Sequence, residues 1–140
     1  IEIDLSSNSE KIILNSDKEQ ISRVFLNLIK NSIESIQQKV ENDSNFNKKI
    51  TIELTEKDGH INLVIVDNGI GFGKFSGNIK DILNPYFTTK KNGTGLGLSI
   101  VNKIINDHNG KIEFIPRNDG AEIKINFVKY NEQWNINCRW

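Results

Sequence analysis

The stretch Asn92-Gly93-Thr94-Gly95-Leu96-Gly97-Leu98-Ser99 constrains this chain more than any other. Three glycines at alternate positions run directly into an apolar series with helical spacing, Leu96, Ile100, Val101, Ile104 and Ile105. Asn109-Gly110 reads as the C-cap of that helix. Backbone without Cβ atoms takes positive φ freely and lets a ligand come close. The helix behind it offers unpaired N–H groups and the positive end of its dipole, which stabilise an anion such as phosphate. A flexible loop before an ordinary core helix could read the same way, so the meaning of the glycines depends on the rest of the chain.

The chain has 140 residues, a single-domain length with room for a core. Lys+Arg and Asp+Glu number 18 each, so no net field draws it to nucleic acid or to a membrane surface. No apolar run approaches the roughly 18 residues of a membrane span, and no signal peptide is evident. The chain opens on Ile1 and is read as a piece of something longer. Its single Cys138 excludes an internal disulfide and a cysteine metal cluster, which fits a reducing cytosol.

Ile1 to Leu5 alternates as a short strand, and Lys11 to Leu14 is a second strand candidate. Ser16-Asp17-Lys18-Glu19 looks like a capping box with Ser16 at the N-cap. The long helix behind it reaches about Val40, with Ile21, Val24, Phe25, Leu28, Ile29, Ser32 and Ile36 on one face. Strands are expected at Ile50–Leu54 and Ile61–Val66, joined by a turn at Asp58-Gly59. Phe72 to Lys91 shows no sustained period beyond a short helix near Ile79–Leu83, and so long a loop suggests a lid. Strands at Lys111–Ile115 and Ala121–Val128 follow, while Lys129 to Trp140 shows no clear pattern and is read as a tail. The expected fold class is α/β (α+β), a two-layer sandwich with a mixed sheet covered on one face by helices.

Three further groups of residues suggest chemistry. Asn27, Asn31 and Glu34 make a polar stripe at i, i+4 and i+7 of the long helix. Asparagine is a mediocre helix former, so two aligned in mid-helix suggest ligation, although a solvated face has the same spacing. An amide oxygen suits Mg²⁺, which takes much of its shell from waters and nucleotide phosphates. Asp67 ends an apolar strand, where a carboxylate is costly unless it meets donors. The exocyclic amine of adenine would supply one, with Gly69 and Gly71 admitting a flat ligand; a plain Asp-Asn-Gly turn is the other reading. Lys90 and Lys91, beside the phosphate-binding glycines, could neutralise β- or γ-phosphate charge or simply be solvated.

In this order, these pieces resemble the ATP-binding catalytic domain of bacterial sensor histidine kinases, within the gyrase/Hsp90/MutL-type (Bergerat fold) ATPases. The N box corresponds to residues Leu26 to Ser35, the G1 box to Asp67-Asn68-Gly69-Ile70-Gly71, the F box to Tyr86-Phe87-Thr88-Thr89-Lys90, and the G2 box to Gly93-Thr94-Gly95-Leu96-Gly97-Leu98. The match spans about residues 10 to 128, and its details look most like nitrogen-regulation kinases of the NtrB/NtrY kind. The resemblance implies a catalytic domain over residues 1–128 with a mobile ATP lid over about 72–92, and a tail at 129–140. It implies that Asn31 ligates Mg²⁺, that Asn27 lies near the phosphates, and that Asp67 accepts from the adenine amine in a pocket lined by Gly69 and Gly71. The amides of Gly93, Thr94, Gly95, Leu96, Gly97 and Leu98 would cradle the phosphates of ATP, with Lys90 beside them. Two positions depart from the family pattern. The last box often reads Gly-Thr but here reads Gly120-Ala121, so a hydroxyl near adenine is missing or replaced by water. Many kinases carry lysine where this chain has Glu34.

Hydrolytic relatives place a carboxylate four residues before the metal-binding asparagine; Asn27 stands there and is a poor base. The expected reaction is therefore transfer of the γ-phosphoryl group to an imidazole supplied by a separate dimerisation and phosphoacceptor domain upstream. His60 and His108 lack an acceptor's flanking residues and are read as structural. A response regulator receiver domain would be the next partner, the parent protein a homodimer and this part cytoplasmic, with a membrane anchor elsewhere in the parent left open. No nucleic acid and no direct membrane contact are expected. An anti-sigma-type serine kinase and a non-catalytic ATP-sensing module share the same pocket and are the alternatives.

Overall fold

The computed structural model describes residues 1–43, 45–72, 79–86 and 93–129. Five strands form one sheet in the order β1-β2-β3-β5-β4: β1 (Glu2–Ser7), β2 (Lys49–Lys57), β3 (His60–Asp67), β4 (Gly110–Pro116) and β5 (Ala121–Val128). β1 runs parallel to β2 and every other pairing is antiparallel, so the sheet is mixed. Two helices, α1 (Lys18–Val40) and α2 (Gly97–Asp107), cover one face. This is the two-layer arrangement expected from the sequence.

Alternation decides which face is covered. In β3 the residues Ile61, Leu63, Ile65 and Asp67 are buried while their neighbours are half-exposed. Their partners across β5 are Phe127, Ile125, Ile123 and Ala121, so one pleat carries four successive buried layers. Val24, Leu28 and Ile36 of α1 and Val101, Ile104 and Ile105 of α2 close those layers from above. Leu28 is 0% exposed, and burying such a side chain contributes about 1.5–3 kcal/mol. Asp67 thus ends a pleat that is otherwise apolar.

Three local readings need correction. Residues 11–14 form no strand: Ile12 and Leu14 turn inward to the core in alternation, but their backbone has no strand to pair with. The N-cap of α1 is Asp17, not Ser16; its Oδ1 accepts the Gln20 N–H at 3.0 Å. Both residue types cap well, and the Gln20 N–H bond holds the Asp17 carboxyl below its ordinary value. The short helix expected near Ile79–Leu83 is present there, as a 3-10 helix. At the end of α2 the residue with positive φ is Asn109 (55°), and Gly110 already opens β4. Gly110 is needed for space, since a Cβ there would lie 2.8 Å from the Phe127 ring.

His108 follows α2 and joins it to the start of α1. Its Nδ1 is 2.8 Å from the Ile104 carbonyl and therefore donates, leaving Nε2 to accept the Asp17 N–H at 3.1 Å. Both ring nitrogens serve the backbone, in keeping with a structural role. No helix among the described residues is long and apolar enough to cross a membrane.

Candidate nucleotide site

One edge of α1 organises the site. Asn27, Asn31, Ser35 and Lys39 follow one another at i+4, so they lie along a slowly winding line on the helix. At one end of the line Asn27 donates its side-chain N–H back to the Arg23 carbonyl at 2.9 Å. That bond turns Oδ1 toward α2, where a Cβ on Gly97 would approach it to 3.1 Å. α2 begins with no side-chain cap: Leu96 occupies the N-cap and Gly95 before it has φ 67°. Among the described residues no side chain caps the first N–H groups of α2, which open beside Asn27 as an anion site requires.

At the other end stands Asp67, 4% exposed. Its Oδ1 accepts the Gly69 N–H at 3.0 Å and the Ser35 hydroxyl at 3.3 Å. Burial pushes this carboxyl above its ordinary value, and the Gly69 N–H, the Ser32 and Ser35 hydroxyls and the Ala121 N–H only partly oppose the shift. The Ser32 hydroxyl lies near enough to favour the charged form but makes no hydrogen bond of ordinary geometry, and it is fully enclosed. A buried carboxylate beside a buried, unpartnered hydroxyl costs several kcal/mol or less depending on what else reaches them, so such a pair is suited to a polar ligand.

The loop after Asp67 is held by backbone packing. Gly71 has φ 62°, and a Cβ there would come within 2.1 Å of the Gly120 carbonyl oxygen. Gly120 has φ 99°, and its own Cβ would come within 1.8 Å of the Asp67 carbonyl oxygen. The end of β3, the loop after it and the β4–β5 turn are thus stacked main chain on main chain. Asn68 ties the loop to β2, its Oδ1 accepting the Lys49 N–H at 2.9 Å and its Nδ2 donating to the Asn47 carbonyl. Lys39 donates to the Asn68 carbonyl at 2.9 Å, pairs with Asp119 and lies 4.4 Å over the Phe46 ring.

The sequence-derived candidates therefore fall into two places on one side of α1. Asp67, Gly69 and Gly71 sit against its Ser32–Lys39 half, and Gly97 sits against Asn27. Asn31 is half-buried between them, one turn from each neighbour on the line. Gly93, Thr94, Gly95, Leu96 and Leu98 form the approach to α2 and its first turn, with the Thr94 hydroxyl accepting the Leu96 N–H at 3.4 Å. Lys90 lies outside the described residues, as do residues 73–78 and 87–92 of the expected lid and the tail beyond Lys129. Glu34, half-buried, lies 3.9 Å from the exposed Lys30 one turn earlier. Ser35 drew no attention in the sequence, because a lone serine in a helix carries no pattern. Its one signal was a poor helix former placed four residues beyond Asn31.

Comparison with known proteins decides the family. Residues 16–131 match the model of the histidine kinase-, DNA gyrase B- and HSP90-like ATPases. The chain belongs to that family. Among curated relatives, sporulation kinase A of Bacillus subtilis is 34% identical over 125 residues, covering 89% of this chain and 19% of that protein. The putative NtrY-like sensor histidine kinase of Rickettsia conorii is 35% identical over 122 residues, covering 86% and 19%. The chain therefore spans about a fifth of the length of these relatives. Among solved structures, the nucleotide-free catalytic domain of the histidine kinase ThkA superposes with a TM-score of 0.70 at 31% identity, covering 91% of this chain and 79% of that one. ThkA has also been solved in complex with the response regulator protein TrrA; the TM-score is 0.68 at 25% identity, covering 91% of this chain and 34% of that one. The fold is that of histidine kinase catalytic domains, as the four sequence boxes implied.

Proposed function

We propose that this histidine kinase-type ATPase domain binds Mg-ATP between Asp67 and the start of α2. It passes the γ-phosphoryl group to a histidine on a separate dimerisation and phosphoacceptor domain. The observation that carries the reading is the spacing of two unlike sites along α1. A buried carboxylate with an enclosed hydroxyl suits the polar edge of adenine, and an uncapped helix start one to two turns away suits phosphates. Asp67 accepts from the exocyclic amine, and Gly69 and Gly71 let the loop beside it pack closely on Ser35 and Gly120. The amides from Gly93 to Leu98 receive phosphate oxygens, Lys90 adds positive charge, and the Asn27 amide lies at the phosphate end.

The Asn31 side-chain oxygen, half-buried between the two sites, is the chain's ligand for Mg²⁺ in this reading. The residues fit that group: a hard neutral oxygen beside a phosphate site is the donor the ion takes alongside water and nucleotide. When bound, Mg²⁺ neutralises phosphate charge. Asn27 cannot serve as a base for water, so ATP is held for an outside nucleophile. In transfer, the bond from γ-phosphorus to the bridging oxygen breaks, a phosphorus–nitrogen bond to imidazole forms, and ADP leaves. The complex of ThkA with a response regulator supports a receiver domain as the next partner, within a homodimeric parent protein.

The test mixes the full chain with a phosphoacceptor domain of an NtrY-like kinase and γ-labelled ATP. The expected product is an acid-labile, base-stable label on the acceptor, strongly reduced by Asn31→Ala. An acid-stable label on serine would overturn histidine as the acceptor, and undiminished labelling in Asn31→Ala would overturn the metal role.

A further inference from the structure

We infer that the Ser35 hydroxyl selects the nucleobase by fixing the orientation of the Asp67 carboxylate. Ser35 is then a positioning residue for a purine bearing an exocyclic amine, a role that rests on the reading of the site above. Ser35 joins α1 to the loop after β3 through both its side chain and its backbone. Its Oγ donates to Asp67 Oδ1 at 3.3 Å and accepts the Gly71 N–H at 3.4 Å, and its backbone carbonyl accepts the Ile70 N–H at 3.2 Å. Gly69 packs so close that a Cβ there would lie 2.2 Å from Ser35 Oγ. One residue thus meets the carboxylate and three successive residues of the loop, Gly69 and Gly71 through its side chain and Ile70 through its backbone.

The directions of these bonds matter more than their number. A hydroxyl has one proton, and the Gly71 N–H must be received on a lone pair. The proton is thereby left for Asp67. Oδ1 then takes two donors, the Ser35 hydroxyl and the Gly69 N–H, which fixes the rotation of the carboxylate, while the Ser32 hydroxyl and the Ala121 N–H also favour its charged form. An acceptor held in that place favours a donor such as the amine of adenine and disfavours the carbonyl of guanine, which would face it oxygen to oxygen. The serine also breaks the usual habit of its type. In helix interiors a serine hydroxyl commonly bonds back to the preceding turn, whereas Ser35 bonds out of the helix to another element. It also answers a gap noted in the sequence: the strand position where the family often carries a threonine is Ala121 here, and hydroxyls reach Asp67 from α1 instead.

The test is calorimetric titration of the full chain and its Ser35→Ala variant, with Mg²⁺ present throughout. The ligands are non-hydrolysable triphosphates of adenosine, of guanosine and of unsubstituted purine riboside, which lacks the amine. Wild type is expected to prefer the adenosine ligand to both others. Ser35→Ala is expected to lose about five- to tenfold in affinity for the adenosine ligand, the worth of one charge-assisted hydrogen bond's geometry. Affinity for the purine riboside ligand should stay within about twofold, so the preference collapses by the same factor. Ser35→Cys, which keeps the volume with a much weaker donor, should follow Ser35→Ala. Equal loss for the adenosine and purine riboside ligands, or an unchanged preference in either variant, would overturn the role. If wild type itself binds no adenosine ligand, the site reading fails before Ser35 is put to the question.

Discussion

Gly120 offers the sharpest test of how the site is built. It has φ 99°, and a Cβ would be placed 1.8 Å from the Asp67 carbonyl oxygen and 2.7 Å from Asn68 Cα. Both neighbours are main chain, so neither can rotate away. The left-handed backbone costs an L-residue about 1–2 kcal/mol, and forcing extra volume into a closed contact costs about 1–3 kcal/mol more. Gly120→Ala should therefore destabilise the domain by about 2–5 kcal/mol, a large part of the 5–15 kcal/mol or so that folded domains possess. In thermal unfolding of a domain this size that is a fall of roughly 10–20 °C. Gly59 supplies the control. Its φ is 75°, but a Cβ there would meet nothing within 4 Å. Gly59→Ala should then cost only the conformational term, about 1–2 kcal/mol. If the two variants unfold at the same temperature, the backbone stack between Asp67, Gly120 and Gly71 does not hold the loop as described.

Three further outcomes are expected. Leu28→Ala empties a site that is 0% exposed and should cost about 3–5 kcal/mol in denaturant unfolding; a loss under 1 kcal/mol or so would mean that the core relaxes around it. Burial raises the Asp67 carboxyl above its ordinary 3.8. The folded state then holds more protons than the unfolded chain between 3.8 and the raised value, so stability should fall as pH rises through that window. Affinity for an adenine nucleotide should change the opposite way, weakening as pH drops through the raised value and the acceptor is lost. Asp67→Asn should flatten the stability slope; an unaltered slope would assign it to another group.

Much of this fold was legible because apolar and polar residues alternate so regularly. The run from Ile61 to Val66 and the run from Ala121 to Val128 fix two strands and the face each buries, and β5 spans Ala121–Val128 as expected. What the sequence lacks is any sign of who pairs with whom. Nothing in residues 11–14 distinguishes a strand from an alternating connector, because the difference lies in whether their backbone joins a ladder, which local alternation does not encode. The N-cap moved one residue because Ser16 and Asp17 are both good caps and only geometry chooses between them. The glycine boxes and Asp67 were readable through composition, since bare backbone and a carboxylate at the end of an apolar strand both need a reason. The packing roles of Gly120 and Ser35 were not, because they come from backbone and hydroxyl contacts between segments 32 to 53 residues apart. Asn68 shows the reverse: it stands inside a box associated with the nucleotide, yet its amide is spent on Lys49 and Asn47.

The claim on which the account turns is that one side of α1 grips a magnesium-bound adenine nucleotide through Asp67 and Asn31. Calorimetry of the wild-type chain with the non-hydrolysable ATP analogue and Mg²⁺, repeated with Asp67→Asn and Asn31→Ala, addresses it directly. The account predicts saturable binding in wild type, loss of adenine preference in the first variant and loss of the magnesium dependence in the second. No heat from wild type at millimolar ligand, or two variants that bind as wild type does, would contradict it.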